Sequence, residues 1–283
     1  TKTNPVRNRR TYSPDLNVEN FGLSQDDLST VFNAGSIVGI GPSTLSTIID
    51  HLQRTYCESI GVEYMYVRNV EKKNWIKERL HQNENQPNFS SQQKIEILNK
   101  LNQAVSFENF LHTKYVGQKR FSLEGGESLI PALDALVMAA DVKGVEEFIM
   151  GMAHRGRLNT LTNIFGKSPK DIFSEFDGKD YDEVVFDGDV KYHMGWTAKI
   201  DPNNDGRKIN INLAPNPSHL ETVGAVVEGI TRAKLENKFN GDTSKVLPIV
   251  VHGDAAIAGQ GIAYEIIQMA RLKGYSTGGT IHI

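Results

Sequence analysis

Residues 246–261, which read Val-Leu-Pro-Ile-Val-Val-His-Gly-Asp-Ala-Ala-Ile-Ala-Gly-Gln-Gly, decide the fold class of this chain. The six apolar residues at the start predict a buried β-strand, although Pro248 is unusual at a central position of a sheet. Helical spacing follows from about Gly261 to Leu272, so the polar turn joins a strand to a helix. Ligands of open parallel sheets bind at such strand ends. The turn at Asp254 is therefore a candidate site.

Strand and helix patterns alternate from about residue 128 onwards. Strands are predicted at residues 147–150, 209–213 and 246–251 and from Thr280, and helices at 128–140, from Ser168-Pro169, around 223–230 and at 261–272. This alternation predicts an α/β fold, in which a mostly parallel sheet with right-handed crossovers is flanked by helices.

The region before the α/β part has helical spacing without strands. A helix capped by Ser43 or Thr44 is predicted from Leu45, a second around Trp75, and two separate helices at 95–101 and from Ser106. A polar connector is predicted at residues 81–93. We therefore expect a polar N-terminal segment (1–40), a helical region (41–105) and an α/β diphosphate-binding domain (106–283).

Composition and charge exclude several functions. The 283 residues carry a net charge of −3, without the basic excess of nucleic-acid-binding proteins. No apolar run approaches the roughly 20 residues that span a bilayer, and the single cysteine, Cys57, fits a reducing compartment. The chain starts without Met and ends in the strand-like Thr280-Ile281-His282-Ile283, so we expect a piece of a longer protein.

The turn at Asp254 has the chemistry of a metal and phosphate site. Its carboxylate is a hard oxygen ligand suited to Mg²⁺, and the backbone N–H groups that follow suit phosphate oxygens. Ala255, Ala256 and Ala258 are small enough to let a ligand approach the backbone. The alternative is an ordinary turn whose glycines serve only its geometry.

Four further polar segments accompany this turn. Residues 151–159 follow a strand and place His154 between Arg155 and Arg157, either as an anion site or as an exposed basic loop. Residues 189–195 contain His193, and residues 119–127 precede a helix. Residues 212–221 lead from a strand to a helix, where Ser218 and Glu221 can form an ordinary capping box. Together these groups match what an anionic diphosphate with a metal requires.

The sequence resembles the thiamine-dependent first component of the 2-oxoglutarate dehydrogenase complex from about Leu45 to its end. Six blocks in family order carry the resemblance, namely residues 61–65, 119–125, 152–159, 191–195, 216–221 and 252–256. In this chain Gly253-Asp254 is followed by Ala255, whereas the broad thiamine-enzyme motif is Gly-Asp-Gly. This departure is usual in the 2-oxoglutarate branch and favours it over transketolase-like relatives.

The resemblance implies a role for each matching site residue. Asp254 would bind the Mg²⁺ of thiamine diphosphate, while Ala255 and Ala256 would line the diphosphate turn. Arg155 would contact the phosphate of the cofactor, and Ser218 and Leu220 would lie against the cofactor. His154 and His193 would face the substrate, position its carboxylates and assist charge changes during decarboxylation.

The resemblance also implies an activity and its partners. The cofactor would accept the electrons released with carbon dioxide from 2-oxoglutarate, and the succinyl group would pass to a lipoyl group of the partner acyltransferase. Dihydrolipoyl succinyltransferase and dihydrolipoyl dehydrogenase of the same complex are the implied partners, and a homodimer is the implied assembly. We expect a bacterial cytoplasmic enzyme, or one of the mitochondrial matrix if the source is eukaryotic.

Three alternatives accompany this interpretation. A sister enzyme could act on 2-oxoadipate or another 2-oxo acid, and a truncated paralogue could serve as a non-catalytic scaffold. A generic nucleotide-binding domain is disfavoured because the chain lacks both the Walker and the G-x-G-x-x-G patterns. The family places a second metal ligand, an Asn, beyond Ile283. We therefore expect this chain alone not to decarboxylate 2-oxoglutarate with an artificial electron acceptor.

Overall fold

A computed structural model describes residues 16–177, 192–253 and 255–283 of this protein. The chain divides into two compact units, which meet in sequence between Gln92 and Gln93. Along the described residues, no helix combines the length and apolar character needed to cross a bilayer.

The first unit is mainly helical. Three 3-10 helices, Val18–Phe21, Gln25–Ser29 and Asn33–Val38, and a short antiparallel pair of strands, β1 (Val31–Phe32) and β2 (Ser43–Thr44), precede helices α1 (Leu45–Cys57) and α2 (Val70–Gln82). Thr44 caps α1, since its Oγ1 accepts a hydrogen bond from the Thr47 N–H at 3.3 Å. Asn69 caps α2 in the same way through Lys72, at 2.9 Å. The predicted start of α1 is confirmed.

The second unit contains a five-stranded sheet within the described residues. Its strands are β3 (Glu147–Met152), β4 (Trp196–Ile200), β5 (Ile209–Leu213), β6 (Val246–Val251) and β7 (Ile281–His282), in the order β4-β5-β3-β6-β7. β3 runs parallel to β5 and β6, and β7 runs parallel to β6, whereas β4 is antiparallel to β5. The predicted α/β fold with a mostly parallel sheet is confirmed.

Helices cover both faces of this sheet. They are α3 (Ser91–Lys114), α4 (Leu129–Val142), α5 (Arg157–Asn163), α6 (Pro169–Phe176), α7 (Thr222–Phe239), α8 (Ala256–Gly259) and α9 (Gly261–Met269). Successive residues of a strand face opposite sides, so Phe148 and Met150 pack with the core formed by α3 to α6. Ile149 packs on the other face against Val223 and Val227 of α7. Burial on both faces explains the unbroken apolar runs of β3 and β6.

Pro248 is tolerated in β6 because its missing N–H is not needed there. The Ile283 N–H donates to the Val250 carbonyl, and the His252 N–H donates to the Ile283 carbonyl. Even-numbered residues of β6 therefore direct their backbone groups towards β7. Pairing with β7 begins only at Ile249, opposite Ile281. Pro248 therefore lies before the first residue that pairs with β7, so no hydrogen bond of this ladder requires a donor at position 248.

Two predicted helices form one continuous helix. The separate helices expected at 95–101 and from Ser106 are wrong, because α3 runs without interruption from Ser91 to Lys114. No Gly or Pro occurs between these residues to break it. The polar connector is also shorter than predicted, since α2 extends through Gln82. The boundaries at 40/41 and 105/106 stay predictions; residue 105 lies within α3.

Candidate active site

The polar segments meet at the carboxyl ends of β3, β5 and β6. A Cβ atom placed on Gly253 would lie 3.8 Å from Cδ2 of Leu220 and 3.9 Å from Cβ of Ala153. The turn after β6, the segment after β5 and the segment after β3 are therefore in contact. Asp254 itself lies outside the described residues.

Two histidines and a serine form the centre of this cluster. The ring centroids of His154 and His193 are 5.0 Å apart. Nε2 of His193 lies 3.1 Å from Oγ of Ser218. Phe121 stands 4.8 Å from His154 and 4.8 Å from Tyr192, measured between ring centroids. The two imidazoles are thus held against an aromatic wall, with a hydroxyl group beside one of them.

Arg157 joins the backbone segments that carry these residues. Its side chain is completely buried, and its guanidinium donates to the carbonyls of Met152, Met194 and Ala214 at 3.2, 2.9 and 2.7 Å. Burial lowers the pKa of Arg157 to about 10, so it remains a cation at neutral pH. No carboxylate among the described residues forms an ion pair with it.

Asn216 adds a second link between the same segments. Its side-chain amide donates to the Met152 carbonyl at 2.8 Å, and its backbone N–H donates to the His193 carbonyl at 3.0 Å. The side chain is buried, between the exposed Pro215 and Pro217. Arg157 and Asn216 together fix the relative positions of His154, His193 and Ser218.

The turn after β3 also contacts the segment before α4. The Gly156 N–H donates to the Phe121 carbonyl at 2.9 Å. Gly156 has a φ of +75°, and a Cβ atom there would stand 2.5 Å from Cδ1 of Leu123, so only glycine fits. Glu108 of α3 supports Ser122 and Leu123 from below through hydrogen bonds of 2.8 and 3.1 Å.

The predicted cofactor-binding residues line the open side of the cluster. Arg155 is exposed, with a single long hydrogen bond of 3.4 Å from its Nη1 to the Ser122 carbonyl. Leu220 is 47% exposed, although its methyl group stands beside Gly253. Ala255 precedes α8 and Ala256 begins it, with Ala256 buried. The guanidinium is therefore available to an anion, and Leu220 offers apolar surface to a ring.

The capping box expected at Ser218 and Glu221 is absent. Helix α7 begins at Thr222, and Glu221 occupies its N-cap position without a capping hydrogen bond from its side chain. The Glu221 carboxylate is buried and instead accepts a hydrogen bond from Nδ1 of His252. The Ser218 hydroxyl contacts His193. Ser218 and Glu221 thus make long-range contacts instead of the local cap.

The structure brings most of the predicted site residues together. His154, His193, Ser218, Leu220 and the turn that contains Ala255 and Ala256 lie around the strand ends, with Arg155 at the exposed rim. Their roles stay predictions. Within the described ranges, no group of three or more His, Cys, Asp and Glu side chains could hold a metal ion; the predicted ligand, Asp254, is outside those ranges.

Several residues of the cluster received no role from the sequence, among them Arg157, Glu221 and His252. Arg157 was visible only as part of a basic segment, Glu221 as part of a capping motif, and His252 as a neighbour of Asp254. The signal that could have identified Arg157 is its place at the start of the helix that follows a buried strand, where an arginine is rarely needed for packing.

The sequence of this chain is similar to those of known proteins of one family. Residues 99–283 match the family described as "Dehydrogenase E1 component". The chain is 48% identical over 278 residues to the 2-oxoglutarate dehydrogenase E1 component of Cupriavidus necator, covering 98% of this chain and 29% of that protein. The corresponding protein of Azotobacter vinelandii is 44% identical over 276 residues, with 97% and 29% covered.

A third relative has a broader name. The chain is 45% identical over 274 residues to the multifunctional 2-oxoglutarate metabolism enzyme of Mycolicibacterium vanbaalenii, covering 95% of this chain and 22% of that protein. The chain therefore spans less than a third of the length of these curated relatives.

Proposed function

Because this chain belongs to the dehydrogenase E1 component family, we propose that it is part of a thiamine diphosphate-dependent 2-oxoglutarate dehydrogenase, the decarboxylating first component of that complex. The observation that carries this proposal is the meeting of His154, His193 and Ser218 with the Gly253 turn at the ends of three parallel strands. Ligands bind at such strand ends in sheets of this kind.

The residues around the turn fit a diphosphate cofactor with an aromatic ring. Arg155 presents an exposed guanidinium, which can bind phosphate oxygens through two N–H groups. Ala255 is small and exposed, so it would let a diphosphate approach the backbone, while the buried Ala256 would line the turn from inside and Leu220 offers apolar surface to the ring. Asp254 would hold Mg²⁺ as a hard oxygen ligand. Ser218 would lie against the cofactor.

The protein's own side chains would bind the substrate and move protons. Thiamine diphosphate, when bound, supplies the electron sink for decarboxylation. The ring centroids of His154 and His193 are 5.0 Å apart, and an imidazole can donate a hydrogen bond to a carboxylate or act as a general acid or base. The Ser218 hydroxyl can donate a hydrogen bond to Nε2 of His193 or accept one from it, and so can hold this ring in place.

The remaining parts of the activity follow from the family. The succinyl group would pass to a lipoyl group of dihydrolipoyl succinyltransferase, and dihydrolipoyl dehydrogenase would complete the complex. We propose a homodimer in the bacterial cytoplasm, or in the mitochondrial matrix of a eukaryote. The names of the relatives support 2-oxoglutarate as the substrate.

A substrate comparison tests the proposal. A protein of the relatives' full length that contains this sequence is supplied with thiamine diphosphate, Mg²⁺ and an artificial electron acceptor, and the decarboxylation of 2-oxoglutarate and 2-oxoadipate is measured. We expect kcat/KM to be highest for 2-oxoglutarate. A preference for 2-oxoadipate would identify the sister enzyme. Binding of a lipoylated partner without decarboxylation of either acid would indicate a scaffold.

A further inference from the structure

Glu221 is buried and has a strained backbone. Its φ of +70° and ψ of −12° lie in the left-handed region, which costs a non-glycine residue on the order of 1–3 kcal/mol. The residue is 7% exposed. A buried carboxylate is also unfavourable unless it is hydrogen-bonded. Both costs require compensation from specific contacts.

That compensation comes from the segment that follows β6. The Glu221 carboxylate accepts from Nδ1 of His252, which precedes Gly253 and Asp254 in the chain. Because Nδ1 carries the proton, Nε2 of a neutral His252 is an acceptor, and it lies 2.7 Å from Nδ1 of His282 on β7. The rings of His252 and His282 stack, with centroids 5.0 Å apart and planes 12° apart. The Glu221 carboxylate and the two imidazoles therefore form one continuous hydrogen-bonded chain.

We propose that Glu221 is a positioning residue, which acts through His252 to hold the adjacent Gly253 at the strand end where the diphosphate would bind. This inference rests on the proposed function, because it concerns the same turn. Glu221 and Leu220 are adjacent, and Cδ2 of Leu220 would lie 3.8 Å from a Cβ atom placed on Gly253. The segment before α7 thus holds the turn at two points, by an apolar contact and by a charged hydrogen bond.

The hydrogen bond to His252 is the specific side-chain contact of this carboxylate among the described residues. The carboxylate does not cap α7, and among the described residues it forms no ion pair with a Lys or Arg side chain. Removing it would leave Nδ1 of His252 without its acceptor in a largely buried place, since the His252 side chain is only 9% exposed. We expect the imidazole then to rotate, and the turn to lose its fixed orientation.

The test starts from the cofactor-free, full-length protein and measures its affinity for thiamine diphosphate. Thiamine diphosphate is titrated at saturating Mg²⁺, and quenching of tryptophan fluorescence gives the apparent Kd. We expect Glu221→Ala to raise this Kd by about 10-fold or more, the usual effect of removing a group that orients a ligand-binding residue. Glu221→Gln keeps the size and one acceptor, so we expect a smaller increase.

A matched control separates positioning from general stability. Glu147 is also a buried carboxylate of this unit, 3% exposed, but it lies at the opposite end of β3 and pairs with Lys234 and Lys238. Glu147→Gln should lower the melting temperature without changing the Kd. A double-mutant cycle with His252→Gln should be non-additive, because the two residues act as a unit.

Each result decides the matter. If the wild-type protein binds no thiamine diphosphate, the proposed function and this inference both fail. If the wild-type protein binds but Glu221→Gln and Glu221→Ala both keep its Kd, only this inference fails. It is equally overturned if Glu147→Gln weakens binding as much as Glu221→Ala does, or if the effects of the Glu221→Ala and His252→Gln changes simply add.

Discussion

Nε2 of His193 lies 3.1 Å from Oγ of Ser218, a residue 25 positions further along the chain. The two side chains come from different connections, one before β4 and one after β5. β4 and β5 are antiparallel neighbours, with Trp196 opposite Leu213. Strand pairing therefore brings the two side chains to the same end of the sheet, where His154 arrives from β3.

The histidine pair provides the first prediction. We expect His193→Gln and His154→Gln in the full-length enzyme each to lower kcat/KM for 2-oxoglutarate by about 100-fold or more, the scale of lost acid–base catalysis. The Kd for thiamine diphosphate should change little. Steady-state kinetics and a cofactor titration check this. His112→Gln is the control, since His112 is exposed and contacts Arg120; unchanged kcat/KM in the active-site variants would contradict the assignment.

Arg157 provides the second prediction. The guanidinium of Arg157 donates to three backbone carbonyls that lie in different directions. The ammonium group of a lysine in Arg157→Lys cannot reach all three, so buried carbonyl groups lose their hydrogen-bond donors. We expect the free energy of unfolding to fall by about 3 kcal/mol, the scale of one or two unsatisfied buried groups. Urea denaturation measures the loss. Arg207→Lys, at a half-exposed arginine that also donates to two carbonyls, should cost less than about 1 kcal/mol.

A pair of glycines provides the third prediction. A Cβ atom on Gly151 of β3 would stand 2.6 Å from Cγ2 of Val227 and 2.9 Å from Cγ2 of Val223 on α7. We expect Gly151→Ala to destabilise the protein by about 1–3 kcal/mol through overpacking. Gly229, on the open side of α7, has nothing within 4 Å, so Gly229→Ala should stabilise by up to about 1 kcal/mol. Equal effects in denaturation experiments would refute this account of the β3–α7 contact.

The first unit provides the fourth prediction, which concerns pH. Burial lowers the pKa of His81, and the nearby His51 and Lys77 lower it further. Nδ1 of His81 lies 2.9 Å from Nε2 of His51, and its Nε2 lies 3.0 Å from the Tyr56 hydroxyl. Protonation of both rings would place two donors face to face.

The direction of the pH effect follows from this lowered pKa. An unfolded histidine takes up a proton near pH 6.5, whereas folded His81 does so only at lower pH. The unfolded state therefore binds more protons below about pH 6.5, and stability falls as the pH is lowered through that range. Glu84, whose pKa the Arg54 hydrogen bond lowers to about 2, adds a further loss only below about pH 4.5.

Melting temperatures at pH 7.5 and 5.5 check this prediction. The wild-type protein should lose more stability over this interval than His81→Gln, which has no titrating ring at that position. His112→Gln should behave like the wild-type protein, because its histidine is exposed. An identical loss in the wild-type protein and His81→Gln would show that His81 does not titrate in this way.

Much of the fold could be predicted because its elements are periodic and its strands apolar. The runs at β3 and β6 and the spacing of α1, α4 and α7 identified those elements. The prediction of a break between two helices within residues 101–106 was wrong. The spacing of the apolar residues changes along α3, but no helix-breaking residue interrupts the helix. The place of Pro248 depends on the register with β7, which no local pattern encodes.

The site was predictable as a set of segments but not as a set of contacts. Polar segments of the sequence contain His154, His193 and Ser218, whereas the roles predicted for these residues and for Leu220 came from the family resemblance. The bond between Glu221 and His252 joins residues 31 positions apart, and that between Arg157 and Ala214 joins residues 57 apart. Such pairs are determined by strand order, and Glu221 additionally satisfied a local capping pattern that the folded chain does not use.

Calorimetry on the full-length protein tests the central claim, that the turn at Asp254 holds Mg²⁺ and a diphosphate. Thiamine diphosphate is titrated into the wild-type protein and into Asp254→Ala, each with Mg²⁺ and with a chelator instead. We predict saturable binding that requires both Mg²⁺ and the Asp254 carboxylate. Failure of the wild-type protein to bind, or binding that is the same without Mg²⁺ or in Asp254→Ala, would contradict the account.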